Sequence, residues 1–125
     1  MKAHDDQITQ FQGVIYFNKV DINIGVNFGI SDSKFNATQS GIYLFSFTAT
    51  VPFTKYTGPV EIAVKRNGEI NFVISDGSSQ HGSNIAYTWM MDLNVGESLE
   101  FSVVEGSLQA NQDNPIIFTA EFLTP

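Results

Sequence analysis

The chain has 125 residues, 42% of them hydrophobic, enough for one domain to bury a single core without covalent help. It contains no Cys, so disulfides, a thiol nucleophile and Cys-type zinc sites are excluded. Six basic residues against thirteen acidic ones give a net charge of −7, which opposes a phosphate backbone, and no nucleic-acid partner is expected.

Charged residues make up only 15% of the chain, against roughly 25% in an average soluble domain, so the surface reads as polar but sparsely charged. No apolar run approaches the ~20 residues of a membrane helix, and Met1 to Gln10 lacks the apolar centre of a signal peptide. No membrane insertion is expected. The chain reads as a domain excised from a longer protein, with residues 1–12 a flexible N-terminal segment or stalk junction and residues 13–125 the folded domain.

Alternation of apolar and polar residues runs through the whole sequence, and helical spacing is hard to find, which predicts an all-β fold. Gly13 to Val20 reads as a strand apolar on both faces, with Val14 and Tyr16 on one and Ile15 and Phe17 on the other. Ile22, Ile24, Val26 and Phe28 alternate with Asp21, Asn23, Gly25 and Asn27 as in a half-buried strand. In Ser40 to Val51, Tyr43, Phe45, Phe47, Ala49 and Val51 share one face, which belongs in a sandwich core. The opposite face carries Ile42, Leu44, Ser46, Thr48 and Thr50, apolar at one end and polar at the other. Ile42 and Leu44 therefore need a cover, supplied by a neighbouring loop or by another subunit.

Pro52 to Pro59 is a loop with two prolines. Val60, Ile62 and Val64 then alternate with Glu61, Ala63 and Lys65, Asn67-Gly68 suits a two-residue hairpin turn, and Ile70, Phe72 and Ile74 resume the inward row. Ser75 to Asn84 is ten residues of turn formers and reads as an exposed loop. Ile85, Tyr87, Trp89, Met91 and Leu93 form another inward row, which favours core packing over a carbohydrate platform for the aromatics. Asn94-Val-Gly96 turns the chain, Leu99, Phe101 and Val103 follow, Gly106 to Pro115 is a second polar loop, and Phe118, Ala120 and Phe122 face inward in the closing strand. Eight to ten short strands at this spacing predict a two-sheet antiparallel sandwich.

The same residues resemble the globular head of C1q-like proteins, in the C1q and tumour-necrosis-factor superfamily, over about residues 13 to 124. Val14-Ile-Tyr-Phe-Asn-Lys-Val20 is similar to the family's first strand, and Phe35 with Ser40-Gly-Ile-Tyr-Leu-Phe-Ser-Phe47 to its aromatic and Gly-aromatic motif. Asn84 to Leu93 with Val95-Gly-Glu-Ser-Leu99, and Phe118 to Leu123, resemble its later strands. Glu97 departs from the usual Asp, and Ala120 and Glu121 depart from a usual Gly and aromatic. The resemblance implies a ten-stranded jelly roll of two antiparallel sheets assembling as a homotrimer, with Val14, Tyr16, Ile42 and Leu44 at the interface. It implies a secreted, non-enzymatic recognition module that binds a protein or glycan. The alternatives are a structural trimerisation cap for a collagen-like or fibrous stalk, and the tip domain of a viral or bacterial surface fibre.

No catalytic residues are expected, because neither His4 nor His81 has a nucleophile and an acid arranged around it. Candidate ligand contacts lie in the loops Thr54 to Gly58, Asp76 to Asn84 and Gln109 to Asn114, and include Asp76, Ser79, His81, Asn84, Asn111 and Asp113. His81 reads as a solvated loop residue or as a pH-sensitive contact. No cofactor is required; the resemblance suggests calcium at Asp76, one copy from each subunit, although Asp76-Gly77 also reads as an Asx turn and the loop has no second carboxylate. Asn36-Ala-Thr38 fits the N-glycosylation pattern, a site to be used only in a eukaryotic secreted protein.

Overall fold

A computed structural model describes residues 2–3, 9–10, 13–15, 27–29, 33–51, 60–76, 84–109 and 115–125. Its strands are β1 (Lys2–Ala3), β2 (Thr9–Gln10), β3 (Gly13–Val14), β4 (Asn27–Gly29), β5 (Lys34–Asn36), β6 (Gly41–Thr50), β7 (Val60–Arg66), β8 (Glu69–Asp76), β9 (Asn84–Leu93), β10 (Ser98–Glu105), β11 (Leu108–Gln109) and β12 (Ile116–Thr124). All pairings are antiparallel and fall into two sheets.

The first sheet is built around β6. β9 pairs with its full length on one flank, from Gly41 opposite Leu93 to Thr50 opposite Asn84. On the other flank β12 pairs with Ile42 to Thr48 and β11 with Thr50, while β1 and β2 extend the sheet from β12 and β11. The second sheet centres on β10, which has β7 and then β8 on one flank and β5 and β3 on the other, with β4 beyond β5.

The predicted rows meet between the sheets. Tyr43, Phe45, Phe47, Ala49 and Val51 are buried, and so are Phe35, Val60, Ile62, Val64, Leu99, Phe101, Val103 and Phe118 from the facing and neighbouring strands. Phe45 sits in the centre: its ring is 5.3 Å from Phe35, edge to face, and 5.5 Å from Phe118, stacked. These offset and T-shaped geometries suit the quadrupoles of the rings. Tyr43 is fully buried, and its hydroxyl donates to the Gln39 carbonyl at 2.6 Å, so the bend at 38–40 satisfies the one polar atom this face carries inward.

The Asn67-Gly68 turn has φ of 53° and 84°, the left-handed pair that a two-residue hairpin of this hand requires. One prediction fails just beyond it. Alternation places Ile70 in the inward row with Phe72 and Ile74, but it is 60% exposed. The register shifts between Val64 and Lys65, which pair with Phe72 and Ile70, so Asn71 is an extra residue. Opposed residues share a face, and Ile70 therefore follows Lys65 outward.

Tyr87 is the second departure. It lies opposite Phe47 and so on the inward face, yet it is 43% exposed. The reason is strand order: among the described strands β9 and β8 are the edges of their sheets, and none closes the gap between them. Phe72 reaches across that gap to Tyr87 and Trp89, with centroids 5.8 and 5.3 Å away. Asp76 and Asn84, predicted within a loop, are the end residues of β8 and β9, and Gln109 ends β11.

Candidate functional site

Three features of the described surface bear on function. The first is the outer face of the β6 sheet. Pairing sets Met90, Leu44 and Glu121 side by side, then Asp92 beside Ile42 in the neighbouring row, with Thr88, Ser46 and Thr119 on the other side. Met90 is 66% exposed and Ile42 37%, and Leu123, in the bulge of β12 beside Ile42, is also exposed. Leu44 is half-buried. Apolar side chains thus cluster at one end of the sheet face, beside Asp92 and Glu121, while β6 itself carries hydroxyls at the other end, where Thr48 lies between Ala86 and Ile117. The contribution of Met90 and Leu123 emerges only from the pairing.

The second feature is the Asn84 end of that face. Thr48, Thr50, Asn84, Ala86 and Pro115 line an open concavity of about 370 Å³. The Thr50 hydroxyl donates to Asn84 Oδ1 at 3.1 Å, which holds the carboxamide. Of the predicted ligand contacts, Asn84 is the one whose side chain is described here. Asp76 is described as backbone at the end of β8, opposite Val60. Ser79, His81, Asn111 and Asp113 lie outside the described residues, as do Thr54 to Gly58 and Tyr16. Val14 pairs with Ser102 through its backbone, and Ile15 next to it is buried in the core. Asn36 is half-buried in β5, with its Nδ2 3.5 Å from the Lys34 carbonyl. Among the described residues no group of three or more His, Asp or Glu could hold a metal ion.

The third feature is a polar clasp at the opposite end, centred on Glu97. Its carboxylate accepts from Arg66 Nε at 2.9 Å and Nη2 at 2.8 Å, from Asn67 Nδ2 at 2.9 Å and from the Asn94 amide at 2.7 Å. Arg66 Nη2 also donates to the Asp92 carbonyl, and the Ser98 amide to Asn67 Oδ1. The β7–β8 turn is thereby tied to the β9–β10 turn, and so one sheet to the other. The reach of a Glu rather than an Asp serves this bidentate fork. The signal available in the sequence was the Asn94 to Glu97 spacing across a Gly turn; its partner Arg66 is 31 residues away.

Hydrogen bonds from Arg66, and then from the Asn94 amide, hold the Glu97 carboxyl at about 2, below its ordinary 4.5, and Glu97 raises Arg66 in return. A depressed carboxyl stabilises the fold fully above pH 4.5, and that contribution fades as pH falls toward 2. The pair is partly open to solvent, so the contribution should be about 1 kcal/mol after screening. Glu97→Gln should therefore lower stability near pH 7 by about that amount and give a flatter profile between pH 5 and 2. Parallel wild-type and mutant profiles over that range, by denaturant titration, would rule the clasp out as a source of stability.

Residues 2–123 match the family model described as the C1q domain. The globular domain of zebrafish complement 1qA superposes with a TM-score of 0.72 at 15% identity, over 98% of this chain and 93% of that one. Rabbit GITRL gives a TM-score of 0.59 at 22% identity, covering 80% of this chain and 78% of that one. Pika GITRL gives 0.58 at 18%, covering 82% and 86%. At these identities the solved structures speak for the fold alone, and they agree with the two-sheet antiparallel sandwich. With a family match that spans nearly its whole length, the chain belongs to the C1q domain family, whose members are non-enzymatic.

Proposed function

We propose that this C1q domain is an extracellular recognition head that works as a homotrimer and binds a protein or glycan at the loop end of its sheets. The observation that carries the assembly is the uncovered apolar cluster of Ile42, Leu44, Met90 and Leu123 on the outer face of the first sheet. A second apolar surface, Phe72 with Tyr87, lies between β8 and β9, the edges among the described strands. Two different apolar surfaces on one chain favour head-to-tail contacts, which close into a ring when the rotation permits. Members of the family typically trimerise. A trimer also holds three copies of the Asn84 concavity at fixed spacing, which raises avidity on a repetitive ligand by ~10²-fold or more.

A homotrimer carries 3 × (−7) = −21 in formal charge, a load that calcium at the Asp76 copies would reduce. Light scattering on a sizing column, with calcium and with chelator, tests both parts. A mass near three times 13.8 kDa is expected. Leu44→Glu, which places a charge inside the contact, should give single chains with an unchanged circular dichroism spectrum. A wild-type mass of one chain in both buffers rejects the assembly, and a chelator-insensitive trimer of unchanged melting temperature rejects the calcium.

A further inference from the structure

We infer that Met90 is an oxidation site through which peroxides control self-association, an inference that rests on the assembly proposed above. Among the described large apolar residues that are exposed, Met90 is the most open, at 66%. Its neighbour in sequence, Met91, is partly buried and packs against the core. The two therefore form an internal pair: the same thioether, one offered to solvent on the outer face and one held inward. Met90 also forms the β9 side of the apolar cluster, directly opposite Leu44 and one row from Ile42.

The chemistry needs only a peroxide, hydrogen peroxide or an organic hydroperoxide. A sulfur lone pair attacks the terminal oxygen, an S–O bond forms as the O–O bond breaks, and the departing oxygen leaves as water or alcohol after taking a proton. Sulfur is oxidised by two electrons and the peroxide reduced by two. The product is a polar, chiral sulfoxide where a flexible apolar side chain stood, and sulfoxide reductases reverse it. Burying that S=O dipole without a donor opposes association, because a polar group taken out of water unpaired costs about 1–3 kcal/mol. That corresponds to a contact weaker by about 5- to 150-fold. Oxidation thus acts on released copies and keeps them apart, and reduction restores them.

The test treats wild-type protein with dilute hydrogen peroxide, assigns the added oxygen by peptide mass mapping, and measures native mass and melting before and after. At a protein concentration low enough to release single chains, Met90 should gain oxygen well ahead of Met91, and the oxidised, still folded protein should fail to reassemble when concentrated. Released chains in which Met90 oxidises no faster than Met91 overturn the inference. Reductase should return it to the starting mass. Met90→Leu, similar in volume but inert to peroxide, should reassemble when concentrated after the same treatment, and Met90→Gln should dissociate without any oxidant. Full oxidation at Met90 with the assembly intact overturns the inference and leaves the trimer standing, as does a Met90→Gln protein of unchanged mass. Untreated wild-type protein that runs as single chains even when concentrated removes the assembly instead, and the inference falls with it.

Discussion

Gly41→Ala should destabilise the domain by about 3 kcal/mol and lower Tm by about 10 °C, although the change adds one methyl group at the first residue of a strand. A Cβ at Gly41 would lie 2.8 Å from a ring carbon of Phe122 and 2.8 Å from the Pro125 Cα, and closer still to the Thr124 carbonyl oxygen. Two of these three atoms are backbone and cannot swing aside as a side-chain tip would. If residues 124 and 125 move out, the pairing of Thr124 with Ile42 is lost. If Phe122 moves, its edge-to-face contact with Tyr43 at 5.2 Å goes with it. The backbone at Gly41, with φ of 154°, adds a conformation that L residues rarely adopt.

The control is Gly68→Ala. A Cβ there meets nothing within 4 Å, and only its φ of 84° is unfavourable, so the cost should be about 1 kcal/mol. Thermal unfolding of both variants decides the matter. Equal losses would mean that backbone conformation alone is at work and that the C-terminal strand does not press on Gly41.

Much of this fold was legible because its rows are local. Tyr43 to Val51 alternates without interruption, and a period of two is enough to assign both faces. Asn67-Gly68 announces its own turn. What the sequence concealed depends on partners distant along the chain. Ile70 is turned outward by a register shift against Val64 and Lys65, and Tyr87 is exposed by the position of its strand at a sheet edge. Neither fact is a property of the residue's neighbours in sequence. The functional surface divides in the same way. Ile42 and Leu44 were readable as apolar on the wrong face, whereas Met90 and Leu123 join them only through pairing to β9 and β12. Glu97 looked like a departure from a family pattern, and its role as the clasp depends on an arginine brought to it by the fold.

Phe45→Ala probes the premise on which both the sandwich and its outer face depend. If Phe45 faces inward, then Leu44 and Ser46 face outward, since adjacent strand residues point to opposite sides. Phe45 has no exposed surface, and its ring lies 5.3 to 5.8 Å from Phe35, Tyr43, Trp89 and Phe118. Four aromatic neighbours drawn from both sheets cannot all collapse into the space an alanine would leave, so the loss should be about 3–5 kcal/mol. Since a domain of this kind is stable by only about 5–15 kcal/mol, the variant should unfold at markedly lower denaturant with its m-value unchanged. Phe45→Leu, which keeps most of the volume, should recover more than half of the loss. A cost below about 1 kcal/mol for Phe45→Ala would place this ring outside the core. The alternation of β6 would then be reversed, and Ile42 and Leu44 would no longer be available to cover a neighbouring subunit.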